Sequence, residues 1–244
     1  DEPVATSVPA VDNRSSSRAD TALSTTAETA TSGTGIDTAN ETIATCTVID
    51  SNGTYQLTQN ITGPADETCI FINASDVVFD GNGHSIEANG SGTDGHPVAV
   101  KDSERASDSP QGDLANVTIR NLRVAAWPQP ILFARVDATV TDNLVIEAGV
   151  RGGLRYAEGS GHLLADSEIR NTDRQAGIAV DGARDGRIVR TTVSNSNFRG
   201  IYIRGSNYAV EQTTIEGSGG QGIALPGGSN HTIRNNTIVD SSYP

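Results

Sequence analysis

The sequence predicts an all-β protein: a parallel β-helix with coils of about 23 residues, preceded by a low-complexity tail. Three observations predict it. Two independent ladders of apolar residues recur with one period. The stretches between them are rich in Gly, Asn, Asp and Ser, which punctuate short strands. No amphipathic helix of ten or more residues interrupts the pattern.

The first ladder is a set of short strands led by Gly or Pro. They are PVAV from Pro97, PILF from Pro130, GLRY from Gly153, GIAV from Gly177, GIYI from Gly200 and GIAL from Gly222, with steps of 33, 23, 24, 23 and 22 residues. Side chains alternate across a strand, so Ile201 and Ile203 point inward and Tyr202 outward. The equivalent inward pairs are Val98/Val100, Ile131/Phe133, Leu154/Tyr156, Ile178/Val180 and Ile223/Leu225. Each stacks about 4.8 Å from its counterpart in the next coil.

The second ladder is an apolar residue followed five later by another. Its pairs are Ile119/Val124, Val140/Val145, Leu164/Ile169, Ile188/Val193, Val210/Ile215 and Ile233/Ile238, with steps of 21, 24, 24, 22 and 23. A period near 23 with two or three strands per repeat suits a β-helix coil. Leucine-rich repeats would carry a spaced Leu and Asn/Cys signature that is absent, and a propeller blade needs about 40 residues. The long step of 33 marks an insertion near residues 101–113, KDSERASDSPQGD, whose residues offer no apolar face.

Residues 1–44 are a different material, built of Ser, Thr, Ala, Gly and acids without a sustained period. Such a segment cannot bury enough apolar surface to offset chain entropy and reads as a tail or linker. Only VATSVPAV, with Val4, Val8 and Val11, has strand-like apolar residues.

The formal charge is -13. That disfavours nucleic acid and anionic membrane surfaces, which need a basic footprint. The basic residues are 16 Arg and a single lysine, Lys101. No apolar run approaches the ~20 residues of a membrane span, and no signal peptide or methionine is present. The chain reads as processed or as cut from something longer. Cys46 and Cys69 fit one disulfide and an oxidising compartment, or else two buried thiols. Nine Asn-X-Ser/Thr sequons, at Asn13, Asn40, Asn52, Asn60, Asn73, Asn89, Asn116, Asn230 and Asn235, are glycosylation candidates in an exported protein.

The GI-x-V strands followed by a turn and NHTIRNNTI resemble right-handed parallel β-helix repeats. Those occur in pectate-lyase-like enzymes, NosD-like proteins and many archaeal surface proteins. The resemblance covers about residues 70–244 and implies the fold without fixing the function. The segment TCTVIDSNGTYQLTQNITGPADETCIFINASDVVFDGNGHSI resembles the start of such domains in salt-loving archaea. It implies a cap and first coil over 45–96, with Cys46–Cys69 clamping a loop. A disulfide closing a loop of that size contributes on the order of 3 kcal/mol. Repeated coils then occupy 97–244. The acidic, Lys-poor, Thr-rich composition is likewise similar to secreted proteins of halophilic archaea, or to any acidic extracellular protein.

No enzyme signature is complete. Asn171–Thr172–Asp173 resembles one motif of pectin-cleaving hydrolases, but the Asp pair and the Arg-x-Lys that should follow are missing, so it reads as a polar corner. The DPHD signature of uronan epimerases is also missing. No residue is assigned a catalytic role. Counting two residues from each first anchor gives the column Asn121, Asp142, Asp166, Arg190, Gln212 and Asn235. Asp142 and Asp166 then lie ~5 Å apart, neutralised by Arg190 or holding calcium. Otherwise no cofactor is expected. DGNG at 80–83 and DGARDG at 181–186 read as turns. His84, His96, His162 and His231 share no ligand spacing and read as turn or surface residues. Thr192, Thr214 and Thr237 share one register. Trp127 packs against a neighbouring turn or stacks on a sugar.

Three functions stay open. The first is a secreted, glycosylated structural subunit of a surface filament, self-associating through Val4, Val8 and Val11 of the tail and through Ile233 and Ile238 of the final coil. The second is a polysaccharide-active enzyme or glycan-binding module, with a groove of carboxylates and aromatics. The third is a fragment of a larger surface protein.

Overall fold

The computed structural model describes residues 40–101 and 114–243. They form a parallel β-solenoid of about eight turns. Two long sheets run its length, and every strand pairing in them is parallel. We call the fifteen-stranded sheet A and the eight-stranded sheet B. Each coil contributes a strand to sheet B and one or two strands to sheet A.

Sheet B follows the Gly/Pro-led ladder. Ile131 pairs with Leu154, Leu154 with Ile178, Ile178 with Ile201 and Ile201 with Ile223. The inward pairs Val98/Val100 through Ile201/Ile203 are almost fully buried. Sheet B also runs back through Ile70–Ile72 to Thr47–Ile49, and sheet A back to Asn40–Ile43. Residues 45–96 therefore supply strands to the same two sheets as the later coils. The step of 33 from Ala99 to Leu132 brackets the expected insertion, of which 102–113 lie outside the described residues, as do Val4, Val8, Val11 and Asn13.

The second ladder needs a correction of one residue in one coil. Ile119 pairs with Thr141, not Val140, and Val124 with Ile146, not Val145. Thr141 in turn pairs with Leu164 and is fully buried. Its hydroxyl meets the Tyr156 hydroxyl at 2.5 Å, so a polar residue fills an inward site that an apolar pattern skips. The other anchors keep their register: Leu164, Ile188, Val210 and Ile233 pair in sequence.

The turns explain the Asn and Asp richness. The corner column is Asn121, Asn143, Asp166, Arg190, Gln212 and Asn235, all at φ between 47 and 56°. Asn and Asp tolerate this left-handed conformation best. Their side chains also bond between coils, as in Asn143 Nδ2 to Asn121 Oδ1 at 2.9 Å and Asn207 Nδ2 to Asp185 Oδ1 at 2.7 Å. The leading glycines have a different cause. A methyl built on Gly200 would lie 2.5 Å from Ile215 Cγ2, and one on Gly177 2.7 Å from Val193 Cγ1. Each glycine lets sheet B start directly against a β-branched core anchor.

Cys46 and Cys69 form a disulfide that bridges the strands opening the first two sheet B turns. Trp127 closes the same end of the core. It is buried, donates Nε1–H to Ile86 O at 3.2 Å, and packs toward Gly63 beside the disulfide. Of its two expected roles it takes packing.

Candidate functional site

The outward side of sheet B carries a second column that period-2 alternation dictates. Arg155, Ala179 and Tyr202 are cross-strand neighbours on three successive coils. The turn before each strand adds Gln175 and Ala176 in one coil and Phe198 and Arg199 in the next. Together with Asp181 these residues line a surface cavity of about 260 Å³. Its small side chains, Ala176 and Ala179, make the floor, while Tyr202 and the 43% exposed Phe198 supply aromatic surface.

Charges in the groove are held in fixed positions. Asp181 accepts from Arg155 Nη2 at 3.0 Å and from Arg204 Nε at 2.8 Å. Arg199 stands over the Phe198 ring at 4.2 Å and the Tyr202 ring at 5.3 Å, and its Nε donates to Gln221 Oε1 at 3.0 Å. The guanidinium is thus stacked on two aromatic faces and tied at one edge. Asp181 belongs to the DGARDG stretch, which continues as strand through Arg184 rather than turning at Asp181.

The other singled-out residues take structural positions. The one-residue correction puts Asn143, not Asp142, in the corner column beside Asp166. Asp142 pairs instead with Arg120 and Ala165, so the carboxylate pair behind the calcium expectation does not come into register. Asp166 is held by Arg190 through bonds of 2.7 and 2.6 Å, and the hydrogen bond from that guanidinium lowers its pKa. Among the described residues no group of three or more His, Cys, Asp or Glu could hold a metal.

Asn171–Thr172–Asp173 is a polar corner. Asn171 accepts from Asn195 at 3.4 Å, Thr172 donates to Ser196 Oγ at 2.9 Å and Asp173 accepts from Asn197 at 2.9 Å. Thr192, Thr214 and Thr237 do share one register. His162 departs from its expected surface position. It is 2% exposed, stacks on Tyr156 at a ring distance of 4.4 Å, and bonds Thr139 Oγ1 through Nδ1 at 2.9 Å. Burial lowers its pKa.

The described sequons divide by environment. Asn40, Asn52 and Asn89 are exposed. Asn60 accepts from the Ser85 backbone at 3.1 Å. Asn116 and Asn230 spend their amide nitrogens on Asp76 and Asn207. Asn235 stands in the left-handed corner column, and Asn73 is half-buried. Ile233 and Ile238 are 40% and 45% exposed on the last described coil, beside Leu225, Val239 and Tyr243.

With the coil geometry in place, comparison with known proteins assigns the family. A family model described as the right handed beta helix region matches residues 110–243. The chain belongs to the right-handed β-helix family. No curated protein matches this β-helix chain. Among solved structures, the enzymatically active domain of bacteriophage CBA120 tailspike protein 2 has a TM-score of 0.43 and 10% identity, over 82% of this chain and 38% of that one. Full-length tailspike protein 2 from Escherichia coli O157:H7 bacteriophage CAB120 has a TM-score of 0.39 and 12% identity, over 84% of this chain and 33% of that one. The β-helix chain therefore spans well under half the length of either tailspike chain. Superpositions this loose carry no functional information. Among the described residues no helix is long and apolar enough to cross a membrane.

Proposed function

We propose that this chain is an extracellular β-helix module that binds carbohydrate on the outer side of sheet B without cleaving it. One observation carries the reading: Tyr202, Phe198, Arg155 and Arg199 converge on a single cleft with a small-residue floor. Sugars offer apolar C–H faces for aromatic stacking and hydroxyls for Arg and Gln donors, and clefts with apolar walls and a few fixed polar groups are the usual binding geometry. Glycoside hydrolysis needs two carboxyl groups at a set separation. The groove lining has one, Asp181, and two guanidiniums engage it. The disulfide and the exposed sequons favour an oxidising, extracellular setting.

Titration of the protein against an oligosaccharide panel tests the reading. Binding that disappears in Tyr202→Ala, with no new reducing ends released, is the expected result. Absence of binding across the panel, or binding indifferent to Tyr202, contradicts it.

A second reading rests on the exposed apolar layer of Ile233, Ile238 and Leu225. Unpaired strand edges template further pairing. Coil-on-coil stacking of this layer on Asn40–Ile43 and Thr47–Ile49 of another copy would continue both sheets and give an open, head-to-tail assembly. Sedimentation against concentration tests it, with Ile233→Lys expected to leave monomers. Further coils following residue 244 in the intact protein would cover the layer and sink this reading.

A further inference from the structure

The chain has three Asn–Gly steps, Asn52–Gly53, Asn82–Gly83 and Asn89–Gly90. At such a step the backbone can attack its own side chain, because glycine has no Cβ to shield its nitrogen or restrict its approach. A glycine N–H that already donates a hydrogen bond must first give it up, and the fold around it must open locally. Two of the three steps are held in this way. Gly53 N donates to Asp76 O at 3.2 Å and Gly83 N to Asn121 O at 2.9 Å. Asn82 is tied as well, its own N to Asp80 Oδ1 at 2.8 Å and its Nδ2 to Leu57 O at 3.4 Å.

The third step differs. Asn89 ends the strand Ser85–Asn89, and its carbonyl accepts from Ala65 N at 3.1 Å. The Gly90 N–H meets no acceptor among the described residues, and the next backbone donor along the chain is Gly95 N, to Ala65 O at 3.1 Å. Gly90 stands at φ 85°, and a methyl built on it would touch nothing within 4 Å. Both residues are exposed.

We propose that Asn89 is a self-modification site, converted through a succinimide into aspartate and isoaspartate. Gly90 N bonds to Asn89 Cγ, the Cγ–Nδ2 bond breaks, and Nδ2 leaves as ammonia with the Gly90 proton. Solvent water then opens the ring. Attack at Cγ gives aspartate. Attack at the Asn89 carbonyl carbon gives isoaspartate, whose main chain runs through Cβ and Cγ and is one carbon longer. Either product adds a carboxylate to a chain of net charge -13. Isoaspartate also displaces the carbonyl that holds Ala65 N, so the pairing of Ile61–Pro64 with Ser85–Asn89 loosens at that end. The departing Nδ2 is the same atom that would carry a glycan in the sequon Asn89–Gly90–Ser91. Glycosylation and self-modification therefore compete for one nitrogen.

Ageing the full chain in its Ser91→Ala form, which cannot carry a glycan at Asn89, tests the proposal. Incubation is in mildly alkaline heavy-oxygen water, and peptide mapping by mass spectrometry reads heavy oxygen in the new carboxylate at each of the three steps. In the folded protein position 89 should convert at least about fivefold faster than 52 or 82, the factor of one hydrogen bond that need not open. In urea, where no hydrogen bond protects any step, the three rates should converge. The isoaspartyl fraction should show faster hydrogen exchange at Ala65 than the unaged protein. Asn89→Gln should abolish the signal at that peptide and leave the other two as they were. A folded chain in which 52 or 82 keeps pace with 89, or in which Asn89 stays intact while urea releases it, overturns the proposal.

Discussion

At the scale of single residues, the fold depends on positions where one atom more or one partner fewer cannot be accommodated. Gly200 is one. A methyl there meets Ile215 Cγ2 at 2.5 Å and Gly222 O at 2.7 Å, and backbone cannot retreat in a stacked sheet. Gly200→Ala should cost about 1–3 kcal/mol by overpacking, read as a fall in the urea midpoint without a change in slope. Thr141 is another. Thr141→Val leaves the buried Tyr156 hydroxyl short of a partner and should cost about 1–2 kcal/mol, while adding Tyr156→Phe should recover most of it. A double-mutant cycle that comes out additive would show that the 2.5 Å contact carries no stability.

His162 adds a pH dependence. Its neighbours are Thr139, Tyr156, the Glu158 carbonyl and, further off, Asp137. Burial lowers its pKa below the ordinary 6.5, so the unfolded chain takes up the proton first. The stability of the neutral, buried ring is complete above pH ~6.5 and is lost as the pH falls from there toward the folded value. His96, desolvated and bonded to Pro130 O at 2.7 Å, acts in the same direction. Denaturation midpoints should therefore drop between pH 7 and 5.5, and His162→Gln should flatten part of that drop.

At the scale of strands and turns, most of the architecture was legible in the sequence because the core is a stack of identical requirements. Ile178, Ile201 and Ile223 repeat because each must fill the same slot above the last, and the strands of sheet B follow that ladder strand for strand. The ladder failed where a core slot holds a hydroxyl. Thr141 reads as a surface residue, which makes Val140 the anchor and shifts Asp142 into a column that Asn143 occupies. The supposed carboxylate pair follows from that shift. His162 departs from its expected surface position for a related reason: a ring with two polar atoms reads as exposed unless the Thr139 hydroxyl that satisfies it is known. The groove was only half legible. Alternation puts Tyr202 outside and in one column with Ala179 and Arg155, but the companions from the preceding turns, Gln175, Phe198 and Arg199, follow no period and nothing in the chain marks them as its neighbours. Of the elements themselves, the Cys46–Cys69 bridge closes a 23-residue separation. Replacing both cysteines by Ala should lower stability by about 3 kcal/mol, with hydrogen exchange rising first in the Thr47–Ile49 and Ile70–Ile72 strands.

At the scale of the whole molecule, a solenoid separates support from recognition. Each coil contacts mainly its neighbours, so stability is close to a sum over coils and their interfaces. The inward columns serve that sum. The outward columns are free to vary, and on sheet A they are filled by Arg–carboxylate ladders such as Arg123–Glu147–Arg170 and Arg187–Glu211–Arg234. Exposed pairs of this kind add little each. Sheet B carries one such ladder, Arg155–Asp181–Arg204, and beside it the small and aromatic side chains Ala179 and Tyr202 line the cleft. Under the proposed reading the stacked coils hold the cleft in place, so the free and bound backbones of the described residues should be nearly the same.

Hydrogen–deuterium exchange with a saturating oligosaccharide from the binding panel tests the proposed carbohydrate reading most directly, because it asks where the ligand sits without presuming which residue holds it. Added protection should be confined to peptides covering 150–157, 174–182 and 197–205, with sheet A unchanged. Protection centred on the sheet A ladders or on the final coil at Ile233 and Ile238, with none around Tyr202, would contradict it.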